Sequence, residues 1–240
     1  MIAARYGTLR IFVVLALAFV FAAAGMRNPA CAGELTYFGA GGSFTLHLTS
    51  LKELKFRTVI QQKYDFSCGS AALATLLTYH YHHPVKEMSV ALDMWKHGNR
   101  AKIKRLGFSM LDMKEYLARH GIPSNGYRSS LARLVKAAVP AIVLLRINGY
   151  LHFTIVEGIR DGRVLIADPA LGTRAISVGA FKREWNGVVF VILNDVKAAR
   201  ATFNRASDWA IQPRAPVAAV RNVGAYLSSL LLSLPSPHTF

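Results

Sequence analysis

The sequence changes grammar at Pro140, and this change constrains the fold more than any other feature. Before it, apolar residues recur at helical spacing in segments that carry their own starts and stops. Cys68 to Tyr81 reads as a first helix, halted ahead of Pro84, and Val85 to Lys96 as a second, ending at Gly98. Ser109-Met-Leu-Asp112 is a capping-box pattern that opens a third, closed at His120-Gly121 with Pro123 beyond. Ser129 or Ser130 starts a fourth, through Leu131, Leu134 and Val135. After Pro140 the period shortens. Ala141 to Ile147 is a continuous apolar run, Asn148-Gly149 a hairpin turn, and Tyr150 to Ile159 the returning strand. Asp161-Gly162 turns again into Val164 to Asp168, and the Pro169 to Gly172 turn leads to a short strand, Arg174 to Val178. A short helix, Gly179 to Trp185, and a last strand, Val188 to Leu193, complete the pattern. Helices followed by an antiparallel meander predict an α+β fold, with the N-terminal helices packed on a C-terminal antiparallel sheet.

The flanks read differently. Arg5 and Arg10, the apolar run Ile11 to Gly25 and the small-x-small Ala30-Cys31-Ala32 form a secretory signal over residues 1–32. Its apolar run is about 15 residues, short of the roughly 20 that span a bilayer, so cleavage is favoured over a retained anchor. Residues 33–57 read as an N-terminal hairpin or flap, with Leu35–Phe38 and Phe44–Leu48 on either side of a Gly-Ala-Gly-Gly turn. The main domain is expected over 58–196. A tail over 197–240, partly disordered or amphipathic, holds Pro213, Pro216, Pro235 and Pro237. Export implies a periplasmic or secreted protein, with a membrane-anchored form as the alternative.

Loss of the signal removes Arg5, Arg10 and Arg27, leaving 26 basic against 13 acidic residues. That balance suits an anionic membrane, the cell wall, a secretion system or another acidic partner. Nucleic acid is disfavoured, because the basic residues are scattered and the chain is exported. Cleavage also removes Cys31, leaving Cys68 as the single cysteine, with no internal disulfide open to it.

Cys68 lies where a turn-rich segment, QQKYDFS, gives way to the apolar helix CGSAALATLL. Ser67 is placed to cap that helix. A thiol at a helix N-terminus faces unpaired N–H groups and the positive end of the dipole, which suits a nucleophile. The bland alternative is a small buried side chain. A nucleophilic cysteine needs a base, an orienter for that base and an oxyanion donor. His152, just after the Asn-Gly turn, and Asp168, closing the next strand, can meet on one face of the hairpin. Taken singly, a strand histidine is ordinarily a satisfied core or surface residue, and an Asp-Pro is ordinarily turn chemistry. Gln62, with the Cys68 backbone N–H, is a candidate oxyanion pocket.

Together, Gln62 six residues before Cys68, Cys-Gly-x-Ala, the x-His-Phe strand and an Asp-Pro sixteen residues after His152 resemble the bacteriocin-processing, double-glycine-leader cysteine peptidases. The resemblance covers about residues 58 to 193. It implies a papain-like fold in which Cys68 is the nucleophile, His152 the general base, Asp168 the orienter and Gln62 the oxyanion donor, with no cofactor. DFSCGSAALATLL, GFSMLDMKEYL and DPALGTR look most like the stand-alone exported members, one group of which accompanies functional-amyloid secretion. Two features depart from the family. Ser67 precedes the nucleophile where many members have Asp, and no transporter is fused to the domain. The substrate implied is a peptide segment of another exported protein or a leader peptide. A cell-wall peptide amidase and a non-catalytic peptide-binding accessory are the rival readings. His80, His82 and His83 lack the spacing of a metal site and read as structural or solvent-facing. Trp95, Trp185 and Trp209 read as packing anchors, as do the methionines Met88, Met94, Met110 and Met113, with Trp185 also placed to line a peptide cleft.

Overall fold

A computed structural model describes residues 34–39, 42–47 and 49–211. The signal segment and the last part of the tail lie outside them. The chain divides into two compact units between Leu51 and Lys52. In the first, β1 (Glu34–Gly39) pairs antiparallel with β2 (Gly42–His47), the hairpin expected from the glycine turn.

The second unit sets helices against one six-stranded antiparallel sheet. After a short α1 (Leu51–Lys55), α2 (Cys68–Thr75) is buried at every residue, as its run of small and apolar side chains dictates. It ends in a π turn, Leu76–His80, where a single α-helix to Tyr81 had been expected. That irregularity accompanies the burial of His80, whose ring bonds Thr202 Oγ1 at 2.7 Å and Glu157 Oε1 at 3.0 Å. Next come α3 (Glu87–His97), α4 (Arg100–Leu106) and α5 (Met110–Arg119). The capping box at the start of α5 is complete: Ser109 Oγ accepts from Asp112 N, and the Asp112 carboxylate accepts from Ser109 N. α6 (Leu131–Ala137) is capped by the Ser130 hydroxyl.

The sheet comprises β3 (Ser124–Arg128), β4 (Ala141–Ile147), β5 (Tyr150–Arg160), β6 (Arg163–Asp168), β7 (Gly172–Ser177) and β8 (Trp185–Ile192). Their order is β3-β8-β4-β5-β6-β7. Both hairpin turns have left-handed backbone at the two central positions, Asn148 (φ 49°) with Gly149 (φ 87°) and Asp161 (φ 51°) with Gly162 (φ 69°). This is the twist that Asn-Gly and Asp-Gly supply. One apolar layer, with Leu73, Leu76, Met113, Ile155 and Phe190, lies between helices and sheet. A second, with Val143, Val156, Ile166 and Phe181, lies under α7 (Val178–Glu184) on the opposite face. β5 contributes to both layers, which explains why its sequence is apolar without alternation.

Three features differ from the sequence expectations. α4 buries only Ile103, so its Arg-Ala-Lys-Ile-Lys-Arg-Leu carries no apolar stripe to read. β3, Ser-Asn-Gly-Tyr-Arg, is an edge strand held by its ladder to β8, with little burial to impose a period. From Val196 the chain continues as α8 (Val196–Ala201) and α9 (Ala206–Trp209), with Ala199, Thr202, Asp208, Trp209 and Ile211 buried. Residues 197–211 therefore pack where a loosened tail had been expected. Among the described residues no helix is long and apolar enough to cross a membrane.

Candidate active site

Cys68 is the first residue of α2 and is 8% exposed. It lines a cleft of about 780 Å³ whose walls include Phe66, Phe108, Met110, Leu144, Phe153 and Val188. Gly69 lets the helix approach this wall closely, since a Cβ there would lie 2.9 Å from Met113 Cε and 3.1 Å from Phe108 Cβ. Trp185 is not among the lining residues; its ring packs at a tilt against Phe181 and its Nε1 donates to Val188 O.

Ser67 does not cap α2. Its hydroxyl accepts from Tyr64 N at 3.1 Å and donates to Tyr64 O at 3.0 Å, closing the preceding turn instead. The amides of the first turn of α2 are thus left without a side-chain acceptor, as an anion-stabilising helix end requires. The expected cap is corrected, because the hydroxyl is engaged with the turn that aims the cysteine.

His152 enters from β5, opposite Leu145 on β4. Its Nε2 donates to Asp168 Oδ1 at 2.8 Å, and Cys68 is near enough to influence the charge of its ring. Asp168, at the C-terminal end of β6, is 1% exposed. The Ile155↔Ala167 and Val156↔Ile166 register carries His152 and Asp168 onto the same face. Burial pushes the His152 pKa down. The hydrogen bond to Asp168, then the Cys68 thiol, and the charges of both partners outweigh it and raise the pKa to about 9. Burial likewise pushes the Asp168 carboxyl up, but the hydrogen bond and charge of His152, the Ala170 N–H and Arg174 together hold it below its ordinary value.

Gln62 is tied to the same region through its backbone, its N–H donating to Pro169 O at 3.0 Å. The loop before Cys68 is thereby joined to the turn after Asp168. One N–H of the Gln62 side chain goes to Tyr64 O at 3.1 Å, and its Oε1 is buried without a partner. A primary amide has two N–H groups, so one donor remains.

Sequence reasoning missed Arg174. Its Nε and Nη2 both donate to Asp168 Oδ2, at 3.2 and 3.1 Å. The sole signal was a basic residue in DPALGTR, six positions after the aspartate, on the neighbouring strand. The histidine-rich stretch is scattered: His80 is buried among Glu157 and Thr202, whereas His82 and His83 are exposed. Among the described residues no cluster of His, Cys, Asp and Glu has metal-site geometry.

The profile of the peptidase C39 family matches residues 57–197. A protein of Pseudomonas aeruginosa named probable functional amyloid protease FapD is 37% identical over 186 residues, covering 78% of this chain and 79% of its own. Its namesake in Pseudomonas fluorescens is 36% identical over 172 residues, covering 71% and 76%. Among solved structures, a double-glycine-motif protease from an AMS/PCAT transporter, crystallised with leader peptide, aligns at TM-score 0.48 and 28% identity. That alignment covers 56% of this chain and 89% of the other.

Proposed function

The chain belongs to the peptidase C39 family and is a cysteine-type peptidase acting on peptides, and from that premise we propose that Cys68 is its nucleophile, His152 its acid–base group, Asp168 the orienter and Gln62 the oxyanion donor. The observation that carries this reading is one imidazole bonded through Nε2 to a buried carboxylate, with the thiol at the first residue of a buried helix among the groups that favour its charged form.

On this reading the Cys68 sulfur, having given its proton to His152, attacks the scissile carbonyl carbon. The oxyanion of the tetrahedral intermediate is met by the Cys68 backbone N–H and the free N–H of Gln62. Collapse breaks the C–N bond while the imidazolium protonates the leaving amine. His152 then takes a proton from water, whose oxygen attacks the thioester. The second intermediate releases the acid and restores the sulfur. Asp168 accepts from Nε2 throughout, which directs the other ring nitrogen to the sulfur. No organic group or metal enters these steps.

The proposed substrate is an extended peptide segment of another exported protein. The names of the Pseudomonas relatives favour a component of a functional-amyloid system. The signal over residues 1–32 favours action outside the cytoplasm. The test is mass spectrometry of exported proteins from cells carrying the wild-type chain, Cys68→Ala or His152→Ala. Each alanine variant is expected to lose the cleavage products, with turnover of the purified enzyme down at least about 10⁴-fold. Products that persist in the Cys68→Ala cells overturn the assignment.

A further inference from the structure

We infer that Arg174 is a positioning residue of this site: it holds the Asp168 carboxylate in the one rotation that presents Oδ1 to His152. The inference rests on the proposed role of Asp168 as the orienter of His152. The two oxygens of this carboxylate have separate sets of donors. Oδ1 accepts from His152 Nε2 at 2.8 Å, from Ala170 N at 2.9 Å and from Leu171 N at 3.3 Å. Among the described residues Oδ2 accepts only from Arg174, through Nε at 3.2 Å and Nη2 at 3.1 Å. The carboxylate is 1% exposed, so no bulk water stands ready to replace a lost donor, whereas the guanidinium is 27% exposed. A buried anion with one oxygen unbonded is costly, and rotation to share its remaining donors would take Oδ1 out of line with the imidazole.

The arrangement follows from topology. Asp168 pairs with Gly172 where β6 turns into β7, and Arg174 lies two residues on, opposite Ile166. On a strand that spacing returns a side chain to the same face. A rigid planar fork approaching through two nitrogens fixes direction as well as charge, which an ammonium does less well.

The test measures steady-state kinetics of the full chain on a cleaved peptide for Arg174→Met, Arg174→Lys, Asp168→Asn and the Asp168→Asn/Arg174→Met double variant, with thermal unfolding as the check on folding. Arg174→Met is expected to lower kcat about tenfold with KM within about twofold, and Arg174→Lys to recover most of that loss. Because Arg174 acts through Asp168, adding Arg174→Met to Asp168→Asn should cost no more than about twofold further. Should the methionine variant fail to fold, Arg174→Gln takes its place, with the same split and the same non-additivity expected. Wild-type kcat in a folded Arg174→Met, a loss confined to KM, or losses that multiply in the double variant each overturn the inference. If Asp168→Asn is impaired while Arg174→Met is not, this inference alone fails. If Asp168→Asn itself keeps wild-type kcat, the role proposed for Asp168 fails and the inference with it.

Discussion

At His152 two opposing effects act on one ring. Burial favours the neutral imidazole; the Asp168 carboxylate and the Cys68 sulfur favour the charged form and prevail, raising the pKa from 6.5 to about 9. A group whose pKa is raised on folding stabilises the folded state fully below its unfolded value near 6.5, and that stabilisation is lost as pH rises through about 9. Asp168, with its pKa lowered from 3.8, acts in the opposite sense: its contribution is present above 3.8 and is lost as pH falls through the depressed value. On the proposed mechanism the protonated ring is the acid for the leaving amine, so kcat/KM should decline on the alkaline side through about pH 9. An alkaline limb centred near 6.5 in the pH–rate profile would contradict this. The role proposed for Gln62 is narrower. Gln62→Ala should lower kcat by about a hundred- to a thousand-fold while altering KM little, the mark of a donor used only once charge develops on the carbonyl oxygen.

The elements that present these side chains are held by backbone details that tolerate little change. Gly172, where the turn after Asp168 enters β7, has φ 77°, and a Cβ there would lie 2.7 Å from both Cβ and the carbonyl oxygen of Lys55. Gly172→Ala therefore meets left-handed backbone strain and a main-chain clash together. It should destabilise the fold by about 1–3 kcal/mol and lower kcat by displacing Asp168, as read by chemical denaturation and single-turnover kinetics. Behind the site, His80 at the end of the π turn and Glu157 at the register shift of β5 are both fully buried and bonded to one another. Two local irregularities thus meet around one polar contact, and Thr202 of the α8 C-terminus completes it. Of two chains cut after Ile211 and after Asn194, the shorter should unfold at distinctly lower temperature. It leaves His80 without Thr202 Oγ1, Glu157 O without the Asn204 N–H, and the apolar layers without Ala199 and Phe203. Equal melting temperatures would show that α8 and α9 add nothing to the domain.

At the scale of the whole molecule, the proposed site draws on three segments remote in sequence: the loop and helix around Gln62 and Cys68, the strand carrying His152, and the turn around Asp168 and Pro169. The sequence by itself determined the helices α2, α3, α5 and α6, the order of strands β4 to β8 with α7 among them, the hairpin turns at Asn148-Gly149 and Asp161-Gly162, the capping box at Ser109, and a set of residues whose chemistry suits a thiol peptidase. These are local properties, set by side-chain period, backbone preference and side-chain type, and they are therefore written locally. Tertiary structure decided the rest. The α4 helix and the β3 strand exist because neighbours supply one apolar pocket and one ladder, which no period in their own residues announces. Residues 197–211 pack because buried His80 and Glu157, more than a hundred and about forty positions earlier, offer them polar partners. Ser67 turned from helix cap to turn closure, and Arg174 became the second partner of Asp168, through contacts fixed only when separate strands and loops are brought within hydrogen-bonding distance. A hydrogen bond depends on angle and on tenths of an ångström, whereas sequence spacing specifies only which side of an element a residue is on.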